Sequence, residues 1–376
     1  MTLPQITWSY VFEMRRDADG LLASDIEKAT SALGHLRSIF GEDVMGLPVQ
    51  FLERMLNRAL WTYQWLIWFS ESIHRVEPMG GYASLRERLI NPTKFDEATS
   101  VLQVAERLVA AGLQVSFDMP VHIGGASKVP DILVQDLESD TKFFCEVSVL
   151  YSAKGRVDQS RVIDQIAKVL LFQQDDRVVF SGRLLRPLDE EEVDGLINRI
   201  QWEVWETRKE VSFREVALDG ALLLALAPEE HKAKVASWAG ERGLELNAFG
   251  GVSPGVNNAA RLRYKIEEEV KQVPAGQPNL LVIPAQDLFV DADGPLALVG
   301  PAVESISHHE RVAALILTSE NFGTAIPLST KMGEHVLLAT SNRDGLNHQY
   351  LLLTNPNCSV TMAPSAMQKI RIAFSL

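Results

Sequence analysis

The hydrophobic positions of residues 1–92 recur every three or four residues, which is the spacing of one helical face. Two long segments show this pattern, SDIEKATSALGHLRSIFG and PVQFLERMLNRALWTYQWLIWFSESIHRV, and a glycine-containing break follows each of them. Thr93, after the pair Asn91-Pro92, is a residue type that caps the start of a new helix. We therefore predict a helical N-terminal region that ends at residue 92.

Residues 59–69, ALWTYQWLIWF, form the most apolar stretch of the chain. Trp61, Trp65 and Trp68 are spaced by four and three residues, so they share one helical face. The stretch is too short to cross a bilayer. One interpretation is an aromatic platform for a partner or a nucleobase. We favour a helix packed onto the core, because large apolar side chains at helical spacing are usually buried.

From residue 93 onward, helical and strand-like patterns alternate. KFDEATSVLQVAERLVAAG predicts an amphipathic helix that Gly112 ends, and the strand-like segments LQVSFDMPV, DILVQ and TKFFCEVSV follow it. The helix-like segment DQSRVIDQIAKVLLFQ comes next, and strands then alternate with helices as far as HQYLLLTN. This order predicts an α/β domain over residues 93–376 with a mixed sheet, in which residues 177–275 elaborate the core.

The segments DILVQ and TKFFCEVSV are joined by the polar loop LESD. In a hairpin centred on that loop, the numbers of facing residues sum to 277, so Leu133 faces Phe144 and Asp131 faces Glu146. Directly opposed acids have Cβ atoms about 5 Å apart and repel each other. A shared divalent cation would relieve the repulsion, and carboxylate oxygens suit Mg²⁺. Ser148 lies on the same face as Glu146, because strand side chains alternate.

This order of elements, with VPDILV followed by FFCEVS, resembles the PD-(D/E)xK nuclease superfamily, also called restriction-endonuclease-like. The resemblance covers about residues 93–172, and later segments such as NLLVIPA resemble those of bacterial members. It implies a restriction-endonuclease-like core, with a central mixed β-sheet flanked by helices. It also implies hydrolysis of phosphodiester bonds in nucleic acid, with DNA as the expected substrate. The metal ion, Mg²⁺ or Mn²⁺, would be held by Asp131 and Glu146.

The chain departs from the family motif at Ser148, where the motif has a lysine. A hydroxyl can hold a water but cannot offset the charge that develops on a phosphate. Some members of the superfamily move the lysine to the following helix, which makes Lys168 the first replacement candidate and Lys154 the second. Gln165, one turn before Lys168, matches a position where such families place a supporting polar residue.

The superfamily also places an acid on the helix before the motif strands, and Glu97, Gln103 and Glu106 are the candidates. Counting back from the end of the helix favours position 103, which is a neutral residue here. Helical geometry places Gln103 on the polar face and Glu97 at the border of the apolar stripe. We choose Glu97, because a residue must point inward to reach the sheet.

Loss of the motif lysine leaves a second function open, in which the same fold serves as an inactive scaffold or a binding module. The chain has 49 acidic residues against 36 lysines and arginines, a net charge of −13. This charge works against non-specific binding of nucleic acid over the whole surface, although it allows a local basic groove.

Location and partners follow from weaker signals. Cys145 and Cys358 lie in apolar segments and predict two free thiols in a reducing compartment. The N-terminal MTLPQITWSYVFEMRRD lacks the features of a signal peptide. We expect a cytoplasmic protein that does not associate with membranes. The N-terminal helices resemble no family, and two roles stay open for them: pairing into a homodimer and recognition of a target.

Overall fold

The computed structural model describes residues 6–16, 23–123, 126–171, 178–218, 220–252, 254–285, 296–321, 328–331, 335–343 and 346–375. Within these residues the chain is an α/β protein with mixed sheets, so the predicted class is confirmed. The chain divides into two compact units. The first unit comprises Met1–Tyr151 with Asn258–Leu376, and the second comprises Ser152–Asn257. The predicted elaboration at residues 177–275 overlaps the second unit.

Helices and strands follow the periodicity of the sequence closely. The described helices are α1 (Trp8–Arg16), α2 (Ala23–Phe40), α3 (Val49–Leu56), α4 (Leu60–Val76), α5 (Tyr82–Ile90), α6 (Phe95–Ala110), α7 (Lys154–Leu171), α8 (Glu190–Glu210), α9 (Lys232–Gly240), α10 (Asn258–Val270), α11 (Leu296–Ser307) and α12 (Pro364–Ala373). The described strands are β1 (Gln114–Phe117), β2 (Val121–Ile123), β3 (Ala126–Lys128), β4 (Ile132–Asp136), β5 (Thr141–Val147), β6 (Val178–Leu184), β7 (Arg214–Leu218), β8 (Leu222–Pro228), β9 (Phe249–Gly251), β10 (Asn279–Pro284), β11 (Ala314–Asn321), β12 (Leu328–Lys331), β13 (Val336–Arg343) and β14 (Leu346–Thr354).

The first unit is built on an eight-stranded sheet in the order β1-β4-β5-β10-β11-β14-β13-β12. Strands β1, β4 and β5 form an antiparallel meander. Strands β10 and β11 then run parallel to β5, and β14, β13 and β12 complete the sheet with antiparallel pairing. The carboxyl ends of β5, β10 and β11 therefore lie at one edge of the sheet.

Side chains of the central strands alternate between two hydrophobic cores. Leu280 and Val282 of β10 belong to a core shared with α4, α6 and α12. Leu281 and Ile283 belong to a second core, shared with α10 and α11. Because β10 is buried on both faces, its sequence is an almost continuous apolar run. The first unit thus has a layer of helices on each face of the sheet.

Aromatic side chains hold the N-terminal helices together and attach them to α6. Phe40 stacks on Phe51 with ring centroids 4.5 Å apart, and Trp65 stacks on Phe69 at 4.7 Å. Phe51 and Phe69 in turn contact Phe95 at the start of α6. Trp65 is fully buried, so the prediction that the tryptophan-containing helix packs into the core is confirmed. Among the described residues, no helix is long and apolar enough to cross a membrane.

The second unit has its own four-stranded sheet in the order β7-β8-β6-β9. Helices α7 and α8 share one core with this sheet, to which Ile166, Ile200 and Leu224 contribute. Helix α9 shares the other core, in which Val235 and Trp238 pack against β6 and β8. Helix α7 therefore directs its apolar face into the second unit.

A buried carboxylate at the end of β4 attaches the C-terminal helix to the hairpin. Asp136 is fully buried, and one of its oxygens lies 2.6 Å from Nζ of Lys369. The hydroxyls of Ser139 and Ser365 each donate to its other oxygen at 2.7 Å. Burial alone would raise the pKa of Asp136, but these hydrogen bonds outweigh it and hold the pKa well below its usual range.

Replacing Lys369 with methionine removes the cation from this buried carboxylate. We expect the free energy of unfolding to fall by about 2 kcal/mol at pH 7, somewhat less than for a wholly buried pair, because Lys369 is partly exposed. The depressed pKa of Asp136 stabilises the wild type above about pH 4, and this contribution is lost as the pH falls further. The difference between Lys369→Met and wild type should therefore shrink in acid, as urea unfolding at pH 7 and pH 3 will measure.

Lys142→Met is the matched control, since Lys142 is exposed on the neighbouring strand β5. A change within about 0.5 kcal/mol is expected for it. Equal stability of Lys369→Met and wild type at pH 7 would contradict the anchoring role of the Asp136 pair.

Candidate active site

The β4–β5 hairpin has the register that the sequence predicts. Leu133 is opposite Phe144 and Gln135 is opposite Lys142, so each pair of residue numbers sums to 277. Asp131 directly precedes β4, whereas Glu146 lies within β5. Continuing the register by one residue places the two acids opposite each other.

Hydrogen bonds between the two strands bring the acidic side chains together. The backbone N–H of Val147 donates to Oδ2 of Asp131 at 3.1 Å, and the backbone N–H of Asp131 donates to the carboxylate of Glu146. Cys145 and Val147 point into the core shared with α6, so Glu146 and Ser148 point to the opposite face. The carboxyl groups of Asp131 and Glu146 therefore lie side by side at the end of the hairpin.

An arginine of α5 supplies a positive charge to this pair, and the sequence analysis did not identify it. Nη1 of Arg88 lies 2.9 Å from Oδ1 of Asp131 and 3.1 Å from Oδ1 of Asp118. Asp118 also accepts a hydrogen bond of 2.6 Å from the hydroxyl of Ser84. Burial opposes the charged form of Arg88, but the charges of Asp131 and Asp118 outweigh it and raise the pKa of the guanidinium. The guanidinium group of Arg88 thus supplies part of the positive charge that we expected from a bound divalent cation.

Glu146 has a strongly perturbed carboxyl group. Burial raises its pKa first, the negative charges of Asp131 and Glu269 raise it further, and the resulting pKa is about 8. Burial also raises the pKa of Asp131, although Arg88 and the Val147 amide oppose this shift. Without a bound cation, burial and the neighbouring negative charges therefore favour the protonated form of Glu146.

Ser148, where the family motif has a lysine, contacts an acid of α10 that is itself paired with a lysine. Its hydroxyl donates to Oε1 of Glu269 at 2.6 Å, and Nζ of Lys265 lies 3.0 Å from the same oxygen. Glu269 is buried, and its other oxygen accepts a hydrogen bond of 2.9 Å from Gln272. Lys265 is 22% exposed at its side chain. Lys265 and Ser148 thus share one carboxylate oxygen of Glu269 as their partner.

The sequence contained a signal for these two residues that we did not use. Leu262, Ile266 and Val270 are spaced by four residues and form the buried stripe of α10. Lys265 and Glu269 each directly precede a member of this stripe, so both flank the face that packs on the sheet. A polar residue directly before a buried position of a helix is thus the sequence signal for a side chain that borders the sheet.

The three candidates on the next helix in sequence belong to the second unit. Lys154, Gln165 and Lys168 lie on α7 and are exposed, while α7 buries Val162 and Ile166 within that unit. Their predicted roles remain predictions.

The candidates on α6 occupy three different environments. Glu97 is exposed, which differs from the inward orientation expected for it, and its charge adds to those of Asp131 and Asp118 around Arg88. Gln103, which helical geometry places on the polar face, is half-buried and donates to Oε1 of Glu320 at 2.5 Å. Its amide is accommodated there because β11 offers an acceptor. Glu106 is buried in an ion pair of 2.7 Å with an arginine of α4.

A cavity of about 270 Å³ opens at the edge where β5, β10 and β11 end. Val149, the residue after Ser148, contributes to its wall, as do Asp96 and Gln103 of α6 and Thr318 and Glu320 of β11. Ligands of open α/β sheets commonly bind beyond the carboxyl ends of the strands. None of the residues of the carboxylate pair lines this cavity: it lies on the α6 side of the sheet, whereas Glu146 and Ser148 point to the opposite face.

The site combines three carboxyl groups, from Asp131, Glu146 and Glu269, with the cations of Arg88 and Lys265. No family model, curated protein or solved structure matched the chain. What the site can do is therefore inferred from the chemistry of these side chains.

The raised pKa of Glu146 predicts how stability depends on pH in the metal-free protein. The carboxyl group of Glu146 has a pKa of about 8 in the folded state and its ordinary value of 4.5 in the unfolded state. The folded protein therefore loses stability as the pH rises from 4.5 to 8. Glu146→Gln mimics the protonated form at every pH. We therefore compare the free energy of unfolding of Glu146→Gln with that of the wild type. The variant's value minus the wild-type value should increase by a few kcal/mol between pH 5 and pH 8.

Urea unfolding in EDTA at pH 5, 6.5 and 8 measures this difference. Glu87→Gln, at an exposed position of α5, controls for the general loss of one negative charge. A stability difference between Glu146→Gln and wild type that stays constant from pH 5 to pH 8 would contradict a raised pKa.

Proposed function

We propose that the chain is a metal-dependent nuclease of the PD-(D/E)xK, restriction-endonuclease-like class. It hydrolyses phosphodiester bonds in nucleic acid, with DNA as the expected substrate. The observation that carries this proposal is the meeting of Asp131 and Glu146 across the hairpin, with Lys265 close to Ser148. These residues offer two acids and an ammonium group at one place, which is the set of groups that the superfamily's motif provides.

The order of elements supports the same class. Helix α6, strand β1 and the β4–β5 hairpin follow one another along the chain, as in the resemblance on which the proposal rests. The second unit is inserted in the connection between β5 and β10. Helix α10 then returns the chain to the sheet, where β10 runs parallel to β5. Within the first unit, α10 is therefore the next helix after the hairpin, and it packs on the same sheet.

The carboxyl groups fit a hard divalent cation. Asp131 and Glu146 offer adjacent oxygen donors of the kind that Mg²⁺ and Mn²⁺ prefer, and Glu269 adds a third carboxyl group nearby. The raised pKa of Glu146 reports excess negative charge, which a cation would neutralise. A bound ion would polarise the phosphate and lower the pKa of a water molecule. Arg88 would then have to share Asp131 with the ion or move away from it.

Lys265 is the proposed substitute for the motif lysine. Its ammonium group can stabilise negative charge on the phosphate, which the hydroxyl of Ser148 cannot do. Ser148 instead holds Glu269 through a hydrogen bond of 2.6 Å and so positions the Glu269–Lys265 pair. Lys265 is supported over Lys168 and Lys154 by its ion pair with Glu269, which contacts Ser148 of the motif strand.

A second function is favoured by the charge compensation already present at the site. Arg88 neutralises Asp131, and burial favours the protonated form of Glu146, so the pair is tolerated without a metal ion. The net charge of −13 also opposes general binding of nucleic acid. On this alternative, the chain is an inactive nuclease-fold scaffold or a binding module.

A cleavage assay with matched variants separates the two functions. We expect the wild type to cleave at least one of supercoiled DNA, linear DNA, single-stranded DNA and RNA in the presence of Mg²⁺ or Mn²⁺. Asp131→Asn and Glu146→Gln should each lower the rate by about 100-fold or more, and Lys265→Met by a similar factor, because each removes a group that stabilises the transition state. Lys168→Met tests the candidate on α7 and should leave the rate unchanged.

The controls distinguish three other outcomes. Cleavage that persists in Asp131→Asn would identify a contaminating nuclease. Loss of activity in Lys168→Met but not in Lys265→Met would assign the role of the motif lysine to Lys168 on α7. If the wild type neither cleaves any substrate nor binds Mn²⁺ in calorimetry, the nuclease proposal fails and the scaffold function is supported.

A further inference from the structure

Two histidines and a glutamate converge on the N-terminal helices, far along the chain from the carboxylate pair. The rings of His35 on α2 and His74 on α4 have centroids 5.9 Å apart. Glu77 caps the end of α4, and its Oε2 lies 3.8 Å from Nδ1 of His74. One potential ligand atom from each of the three residues lies within 4.8 Å of the other two.

The backbone frame of this cluster is fixed by regular structure. The N–H of Glu77 donates to the carbonyl of Ile73 at 2.8 Å, so Glu77 continues the helical turn of α4. His74 and Glu77 therefore keep a spacing of three residues, which places both side chains on one face. His35 reaches the same point from α2, which packs against α4 in the same hydrophobic core.

A contact behind His35 favours metal coordination by its ring. The hydroxyl of Ser70, a buried residue of α4, lies 2.8 Å from Nδ1 of His35. Outer-shell contacts of this kind fix the tautomer and orientation of a metal-bound imidazole. Because Nδ1 faces the hydroxyl, Nε2 of His35 is left to bind an ion.

The donor set selects a class of ion. Imidazole nitrogen with a carboxylate oxygen suits Zn²⁺ and its neighbours Co²⁺, Ni²⁺ and Cu²⁺, whereas Mg²⁺ prefers oxygen donors throughout. Ligand atoms around a tetrahedral zinc ion, at bonds of about 2.0–2.2 Å, lie roughly 3.3 Å apart. Because the ligand atoms lie within 4.8 Å of one another, the cluster must contract by at most about 1.5 Å. The side chains of His74 and Glu77 are 81% and 52% exposed and can rotate to do so.

Without a bound ion, the contacts among these three side chains provide little stabilisation. An exposed pair such as His74 and Glu77 contributes little to stability. Among the residues described in the structure, this is also the one group of three or more histidine, cysteine or acidic side chains with ligand atoms so close together. An ion bound there would join α2 to α4, two helices that are separated in sequence by the α3 segment.

We propose that His35, His74 and Glu77 bind a divalent transition-metal ion of the Zn²⁺ class, with water completing the coordination. The site links two N-terminal helices and goes beyond the proposed nuclease function. Its ligands and its preferred metal both differ from those of the Asp131–Glu146 pair. Loss of either site should therefore leave binding at the other.

Calorimetry and thermal unfolding of the full, tag-free chain test this proposal. The protein is stripped with EDTA, dialysed and titrated with Zn²⁺, with Ni²⁺ as a second probe and Mg²⁺ as the comparison. The titrations are repeated in Asp131→Asn, so that the carboxylate pair does not contribute. We expect one Zn²⁺ per chain with a dissociation constant in the micromolar range, and a rise in Tm of roughly 2–5 °C at saturation. Mg²⁺ should not compete.

The variants make the assignment specific. His74→Ala should weaken Zn²⁺ binding at least tenfold and abolish the rise in Tm, and because His74 is mostly exposed, this variant should fold normally. His35→Gln should weaken binding similarly, and Glu77→Gln to a smaller extent. His308→Ala removes an exposed histidine elsewhere and should bind Zn²⁺ as the wild type does. Unchanged affinity in His74→Ala and His35→Gln, or no binding by the wild type, would overturn the proposal.

Discussion

The side-by-side burial of Asp131 and Glu146 is the constraint on which the rest of the candidate site depends. Two carboxylates removed from water repel each other and resist ionisation, so each needs a compensating partner. Arg88 and the Val147 amide compensate Asp131, and a proton compensates Glu146. Because Arg88 comes from α5, the helical N-terminal region takes part in the site. A metal ion would replace the proton on Glu146 and compete with Arg88 for Asp131.

The alternation of side chains along β5 decides which helix can complete the site. Cys145 and Val147 enter the core shared with α6, so Glu146 and Ser148 face the layer that contains α10. Serine is short enough for Glu269 to approach the strand, and Glu269 in turn holds Lys265. On the proposed function, the ammonium group that the family motif places on the strand would be supplied by α10 instead.

Local features were predictable from the sequence and long-range contacts were not. The length of the LESD loop determined the hairpin register, and helical periodicity predicted the burial of Trp65. Arg88 lies 43 residues before Asp131, and Glu269 lies 121 residues after Ser148, beyond the inserted second unit. Neither contact leaves a trace in local periodicity. The hydrogen bond of Gln103 was not predicted for the same reason, since its acceptor Glu320 is 217 residues away.

Helix α6 shows why the N-terminal helices cannot be treated as an appendage of the sheet. The sequence predicted one apolar stripe, yet buried residues surround most of the helix, including the charged Glu106 and Arg107. A helix buried all round needs neighbours on every side. The sheet covers one side, and the aromatic cluster of α2, α3 and α4 covers Phe95 on another. The core of the first unit, the placement of Arg88 and the histidine cluster therefore all depend on the same group of helices.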